Sequence, residues 1–405
     1  MDAEMTSRKS TCTYVDAVPP SWANIVDGMW IFSVKRPPGS PPAFKARYVA
    51  RGFSQRQGID YFQTFSPTPK MTTLRVLLHV AAQRDCELHS LDFTTAFLQD
   101  SLHEEIWLRR PPGFTGSFPG GTQWSLRRPV YGLRQAPREW HDSLRTTLAA
   151  LGFTPSTGDP SLFLRADMSL PPFYVIVYVE DLVFATADTE ALTLVKSELQ
   201  KRHTCTDLGG LRSYLGLQFT RDRAQRTITL TQSHMVHQSV ELSGPYPELV
   251  GCVMYLMTCA RPELAYPLSL LPRYVAPDRH RKLSSLVTQT LLGLTTQLRS
   301  GRHRVTPSAL VPALFPGILP ARLCCEAEIK AGAMAAQELR WLTYLLTDLG
   351  EQPRLPPQRG HLRLAYVATR ANTADVFTKA LPRGDHQRFV TVLGLVPSLP
   401  NLLTA

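Results

Sequence analysis

Phe173-Tyr174-Val175-Ile176-Val177-Tyr178-Val179-Glu180-Asp181-Leu182-Val183-Phe184-Ala185 is the stretch whose reading decides the fold. Phe173 to Val179 is entirely β-branched or aromatic, the composition of a buried strand. Leu182 to Ala185 is a second apolar run. Only Glu180 and Asp181 separate the two, which predicts a tight hairpin with both carboxylates at its tip. Adjacent carboxylates repel each other unless a cation neutralises them. An acidic hairpin tip is also a common polar β-turn, so this stretch alone leaves its chemistry open.

Working outward, Glu87 to Phe93 reads as a strand ending on Asp92, with a helical turn starting at Thr94. Three acidic groups converging from two strands, Asp92, Glu180 and Asp181, make a hard-oxygen site suited to Mg²⁺. Thr72 to Ala82 fits a helix, with Leu74, Leu77, Leu78 and Ala81 on one stripe. Glu139 to Leu151 fits another, ended by Gly152. Asp188 is placed to cap a helix running to about His203. A further hairpin is expected over Leu215–Thr220 and Arg226–Leu230. On the N-terminal side, Trp30–Lys35 and Phe44–Val49 flank a Pro-rich turn. In the second of these, Lys45 and Arg47 share one face and Phe44, Ala46 and Tyr48 the other, a hairpin with a cationic side.

The bulk numbers bound the partners. The chain has 405 residues and a net charge of +11, which fits a polyanionic partner such as nucleic acid and, on charge alone, equally a basic solvated surface. Seven cysteines include no C-x-x-C pair, which argues against a disulfide framework or a zinc ribbon and points to reduced thiols in an intracellular protein, cytoplasmic or nuclear. Met1 to Ser10 has no apolar core and does not read as a secretory signal. The most apolar run falls far short of the ~20 residues that span a bilayer.

Six blocks lie in order over residues 30–236. They are Lys45-Ala46-Arg47-Tyr48-Val49-Ala50-Arg51-Gly52-Phe53; Gly58-Ile59-Asp60-Tyr61 with Thr64-Phe65-Ser66-Pro67; Leu91-Asp92-Phe93-Thr94-Thr95-Ala96-Phe97-Leu98; Tyr131-Gly132-Leu133-Arg134-Gln135-Ala136-Pro137-Arg138-Glu139-Trp140; Tyr178-Val179-Glu180-Asp181; and Asp207-Leu208-Gly209-Gly210-Leu211 with Tyr214-Leu215-Gly216. This order resembles the reverse transcriptase of copia-type LTR retrotransposons. The resemblance implies an α+β right-hand polymerase fold with fingers, palm and a truncated thumb, and an RNA-directed DNA polymerase acting on an RNA or DNA template-primer and dNTPs. By the same resemblance, Asp92, Glu180 and Asp181 would be catalytic and hold two Mg²⁺ ions, with Mn²⁺ an alternative. Lys45 and Arg47 would meet the incoming triphosphate. Gln135 would lie over the nucleotide and template base. Phe97 would exclude a 2′-hydroxyl by bulk, its plainer reading being a core aromatic. Asp207 to Gly216 would support the primer end or serve as a plain turn. The family has Asp where this chain has Glu180. The extra methylene, roughly 1.5 Å, predicts strongly reduced turnover, since a misplacement of about 1 Å can cost ~10²-fold. The rival expectation is a catalytically inactive relic that at most binds nucleic acid.

The C-terminal part resembles the RNase H of the same family through Cys325-Glu326-Ala327-Glu328, Glu338-Leu339-Arg340-Trp341-Leu342 and Asn372-Thr373-Ala374-Asp375. Glu326 and Asp375 would be two of its four metal-binding acids, too few to clamp two metals, so nuclease activity is expected to be absent. The domain reading is a flexible tail over 1–25, fingers and palm over 26–236, and truncated thumb or connection helices over 237–280. A divergent, poorly ordered basic segment with prolines follows over 281–322, then an RNase H-like α/β remnant over 323–392 and a tail over 393–405. The whole reads as a piece of a polyprotein with internal losses.

Overall fold

A computed structural model of the chain describes residues 1–35, 41–113, 120–232, 246–265, 303–304, 324–351 and 381–392, with Leu268 and Thr373 besides. In chain order the elements are α1 (Asp2–Ser10), β1 (Tyr14–Ala17), β2 (Ile25–Val26), β3 (Gly28–Lys35), β4 (Ala43–Ala50), α2 (Met71–Gln83), β5 (Glu87–Phe93), β6 (Trp107–Leu108), β7 (Gln123–Leu126) and α3 (Ala136–Ala150). Then come β8 (Phe153–Pro155), β9 (Leu162–Arg165), β10 (Phe173–Tyr178), β11 (Asp181–Thr186), α4 (Thr189–Arg202), β12 (Cys205–Gly210), β13 (Ser213–Tyr214), β14 (Leu217–Asp222), β15 (Thr227–Thr231), α5 (Tyr246–Cys259), β16 (His303–Arg304), α6 (Cys324–Asp348) and α7 (Arg383–Val392).

The centre is an antiparallel six-stranded sheet in the order β12-β5-β11-β10-β9-β8. Side chains of a strand alternate between faces, and here both faces are buried. Phe173, Val175 and Val177 of β10 enter one core with Trp140, Leu144 and Leu148 of α3 and Leu192, Val195 and Leu199 of α4. Tyr174 and Ile176 enter the other with Leu74, Leu77 and Leu78 of α2. Burial on both faces explains why the sequence runs apolar without alternation there. Burying one such large side chain contributes about 1.5–3 kcal/mol, and β10 and β11 supply eight of them, Phe173 to Val177 and Leu182 to Phe184, with the small Ala185 beside them.

Three expectations change. The hairpin tip is Val179-Glu180, because Tyr178 pairs with Asp181 and the latter is the first residue of β11. Pairing with β5 fixes that register by setting Asp181 opposite Asp92. The expected loose tail over 1–25 is instead structured. Met5 and Arg8 of α1 are buried, Arg8 donates to Glu4 Oε1 and to the Tyr48 carbonyl, and β1 pairs with β7 while Tyr14 stacks on Trp124 at 3.9 Å. The helix expected from Glu139 starts at Ala136, and Pro137 suits its first turn, where no intrahelical N–H is required.

β3 and β4 form a separate two-stranded ribbon in which Arg47 faces Ile31 and Lys45 faces Ser33. The C-terminal half of α6 packs on the central sheet, burying Leu342, Leu345 and Leu349 in the α2 core. Asp348 there accepts from the Ser156 and Thr157 hydroxyls and the Thr157 N–H, and Trp341 donates to the Gly158 carbonyl. α5 ends at Cys259 and a 3₁₀ turn, Pro262–Leu264, follows it, while most of the remainder of the helix expected over 247–274 lies outside the described residues. Segment 237–243, most of 281–322, the strand expected at 361–368, Asp375 and the tail 393–405 lie outside the described residues, as does the side chain of Glu326. Cys12, Cys86, Cys205, Cys252 and Cys259 are free thiols. Among the described residues no helix is long and apolar enough to cross a membrane.

Candidate active site

The register of the central sheet builds the site. Asp92 and Asp181 are direct partners across β5 and β11. Glu180 occupies the turn that leads into β11. Val179, the other turn residue, has a φ of 54°, a left-handed conformation costly for a β-branched side chain. Two hydrogen bonds hold that turn. The Trp140 indole N–H donates to the Val179 carbonyl at 2.6 Å, and the Phe93 N–H donates to the Glu180 carbonyl at 2.8 Å. Trp140 is fixed in turn by α3 and by edge contacts with Phe93 and His203, with ring centroids 4.9 and 5.4 Å apart.

The acids strain one another. The Asp181 carboxyl is pushed up to about 6, first by burial and then by the charges of Asp92 and Glu180. Hard carboxylate oxygens facing each other on neighbouring strands, in a field that penalises their negative charge, fit a divalent cation at Asp92 and Asp181. Glu180 is not gathered with them. Its Oε2 accepts from the Tyr131 hydroxyl at 2.9 Å, and among the described residues no group of three or more His, Cys, Asp or Glu side chains is assembled to hold a metal. The structure therefore brings together two of the three acids expected to converge and ties the third to a tyrosine.

The residues expected at the nucleotide divide. The Arg47 guanidinium lies over the Tyr131 ring, 4.8 Å from its centroid, and so reaches the acidic turn from the ribbon. Phe97 is buried and meets the other side of that cluster, its ring 4.8 Å from Tyr131 in an edge-on contact. Lys45 shares the Arg47 face two residues along β4. Gln135 differs from expectation. It is 1% exposed, receives the Gln55 amide at 3.0 Å and donates to the Asp60 carbonyl at 2.9 Å. Its amide is spent bracing the loop after β4 against α3, so it is not free to lie over a base. Asp207, on the edge strand β12, accepts from Lys196 Nζ at 2.7 Å and from the Gly209 N–H at 2.9 Å, which is a structural use of that block.

Sequence reasoning missed Tyr131 and Trp140 as partners of the acidic turn. Both stand in the quoted Tyr131-to-Trp140 block, but only the folded chain shows which atoms they hold. It also missed a carboxyl pair, Glu104 with Glu139, beside a cleft lined by Phe62, Asp100, His103 and Asp142.

A family model described as "Reverse transcriptase (RNA-dependent DNA polymerase)" matches residues 11–252. The Retrovirus-related Pol polyprotein from transposon RE2 of Arabidopsis thaliana is 30% identical, with 95% of this chain and 33% of that protein covered. That from transposon TNT 1-94 of Nicotiana tabacum is 28% identical, over 68% of this chain and 23% of the relative. The chain spans about a third of the length of the first two curated relatives it matches, RE2 and RE1. The RE2 alignment runs over 484 positions, more than the 405 residues of the chain, so the relative carries segments that this chain lacks. A solved foamy viral protease-reverse transcriptase in complex with dsDNA is similar at 13% identity and a TM-score of 0.42, over 72% of this chain and 55% of that one, a likeness too slight to argue from. The chain belongs to the reverse transcriptase (RNA-dependent DNA polymerase) family, as a piece of a copia-type retrotransposon Pol polyprotein.

Proposed function

We propose that this chain is an RNA-directed DNA polymerase of low turnover, which extends the 3′ end of a primer on an RNA or DNA template with dNTPs. The observation that carries the reading is the pairing of Asp92 with Asp181 on adjacent strands, beside an arginine delivered by the cationic ribbon. Asp92 and Asp181 are the metal ligands, and Glu180 is the third acid of the catalytic set. A divalent cation held there, Mg²⁺ or Mn²⁺, would supply the Lewis acidity that a 3′-hydroxyl and a leaving pyrophosphate need.

The chain's own residues do the rest. Arg47 and Lys45 bind the triphosphate oxygens of the nucleotide as charge-assisted donors. Phe97 and Tyr131 form the apolar floor beneath its sugar, where bulk discriminates against a 2′-hydroxyl. Trp140 and Phe93 hold the backbone of the turn, which keeps Asp181 in register with Asp92. Gln135 serves the nucleotide subsite indirectly, through the loop it braces. The net charge of +11 suits the polyanionic template-primer.

Primer extension by the full chain on an RNA template tests this, with Mg²⁺ and with Mn²⁺. Weak extension abolished by Asp181→Asn, and raised by Glu180→Asp, is the expected result. Salt-sensitive nucleic-acid binding with no extension, even by Glu180→Asp, identifies an inactive relic instead.

A further inference from the structure

Tyr131 connects three parts of the site. Its carbonyl accepts the Ala50 N–H at 2.8 Å, which ties it to the end of β4. Its ring carries the Arg47 guanidinium 4.8 Å from its centroid and meets the Phe97 ring edge-on, with centroids 4.8 Å apart. Its hydroxyl donates to Glu180 Oε2 at 2.9 Å. A carboxylate oxygen can only accept, so the phenol hydroxyl is the donor in this bond. Glu180 stands one methylene further out than an aspartate would, and a carboxylate drawn back by roughly 1.5 Å would lose a bond of this length.

We propose that Tyr131 is a positioning residue that parks the Glu180 carboxylate away from the Asp92–Asp181 pair. The inference rests on the polymerase reading of these acids. It accounts for two acids facing each other while the third is engaged elsewhere. A carboxylate that accepts a tyrosine hydrogen bond has one oxygen committed, and to join a cation beside Asp92 and Asp181 it must first give up that bond. The penalty on cation affinity is about tenfold, the lower end for a hydrogen bond to a charged group.

Mn²⁺ binding to the full chain, read as loss of the free-ion electron paramagnetic resonance signal, tests this without recourse to activity. Tyr131→Phe keeps the ring against Arg47 and Phe97 and removes the hydroxyl. It is expected to bind Mn²⁺ about tenfold more tightly than the unaltered chain. The gain should vanish in Tyr131→Phe combined with Glu180→Gln, which should bind like Glu180→Gln alone. Equal or weaker binding by a Tyr131→Phe protein that melts normally overturns the proposal. If that variant melts early, Glu180→Asp replaces it, because it withdraws the carboxylate and leaves the ring in place. No gain in affinity there overturns the proposal equally. Asp181→Asn separates the two levels. If it leaves Mn²⁺ affinity unchanged, the metal site itself is wrong. If it abolishes binding while Tyr131→Phe gains nothing, only the role of Tyr131 falls.

Discussion

Glu139→Gln should stabilise this protein at neutral pH and leave it unchanged in acid. Glu139 lies in the first turn of α3, where its carboxyl meets Glu104 at the edge of a cleft of about 560 Å³. Oε2 of each residue is buried. Burial pushes the Glu139 carboxyl up to about 9, with the hydrogen bond and charge of Glu104 next and the charge of Asp100 after them. Two carboxyl groups can be joined only by a proton between them, so the folded protein carries that proton at neutral pH. The unfolded chain binds it only below about pH 4.5. Folding therefore takes up a proton over the interval between. The contribution of the pair to stability is complete below about pH 4.5 and is lost as pH rises towards 9, at about 1.4 kcal/mol per pH unit. At pH 7.5 the three units amount to about 4 kcal/mol, and screening by water in the open cleft reduces this to about 2 kcal/mol. Glutamine supplies a neutral donor of the same length. Urea unfolding of both proteins from pH 4.5 to 8.5 should give coincident midpoints at the acid end and a gap that widens to about 2 kcal/mol by pH 7.5. A gap that does not vary with pH, or a variant less stable at pH 7.5, would refute the shared proton.

Other residues give equally direct tests. Trp140→Phe removes the donor to the Val179 carbonyl. It should cost about 1–2 kcal/mol in a thermal or urea melt and lower single-turnover extension more than template-primer binding. Arg226 is exposed in the turn between β14 and β15 with a φ of 50°. Arg226→Gly should relieve that strain and stabilise the fold by about 0.5–1 kcal/mol, read as a raised unfolding midpoint. Leu345→Ala in α6 opens a cavity in the α2 core and should cost about 3 kcal/mol within one cooperative transition. A separate low-temperature transition would mean that α6 folds apart from the sheet.

How far the sequence could be read depended on whether the deciding contacts were local. β10, β11, α2 and α4 follow from runs of β-branched residues, a helical stripe and the Asp188 cap, which accepts the Ala191 N–H as expected. The hairpin tip was displaced by one residue because its register is set by β5, eighty or more positions upstream, and not by charge at the turn. α1 was unreadable for a similar reason. Its few apolar residues give no stripe, and what holds it is Arg8 reaching Glu4 and the Tyr48 carbonyl.

The site shows the same division more sharply. That Asp92 and Asp181 lie side by side was legible, because an acid at the end of an apolar run is a property of a short segment. Whether Glu180 joins that pair is a matter of side-chain reach. Glu180 is long enough to find Tyr131, a residue about fifty positions away that joins it only through the fold. α6 carries the point furthest. Leu342, Leu345 and Leu349 recur at helical spacing and belong by sequence to a C-terminal unit, yet they pack against α2 and the central sheet. An amphipathic stripe states that a helix is buried, but not against what. The partner is named by the polar groups that must be satisfied at the contact. Asp348 meets the hydroxyls of Ser156 and Thr157, and the Trp341 indole meets the Gly158 carbonyl. These bonds choose one face of the sheet for a helix whose apolar stripe would accept many.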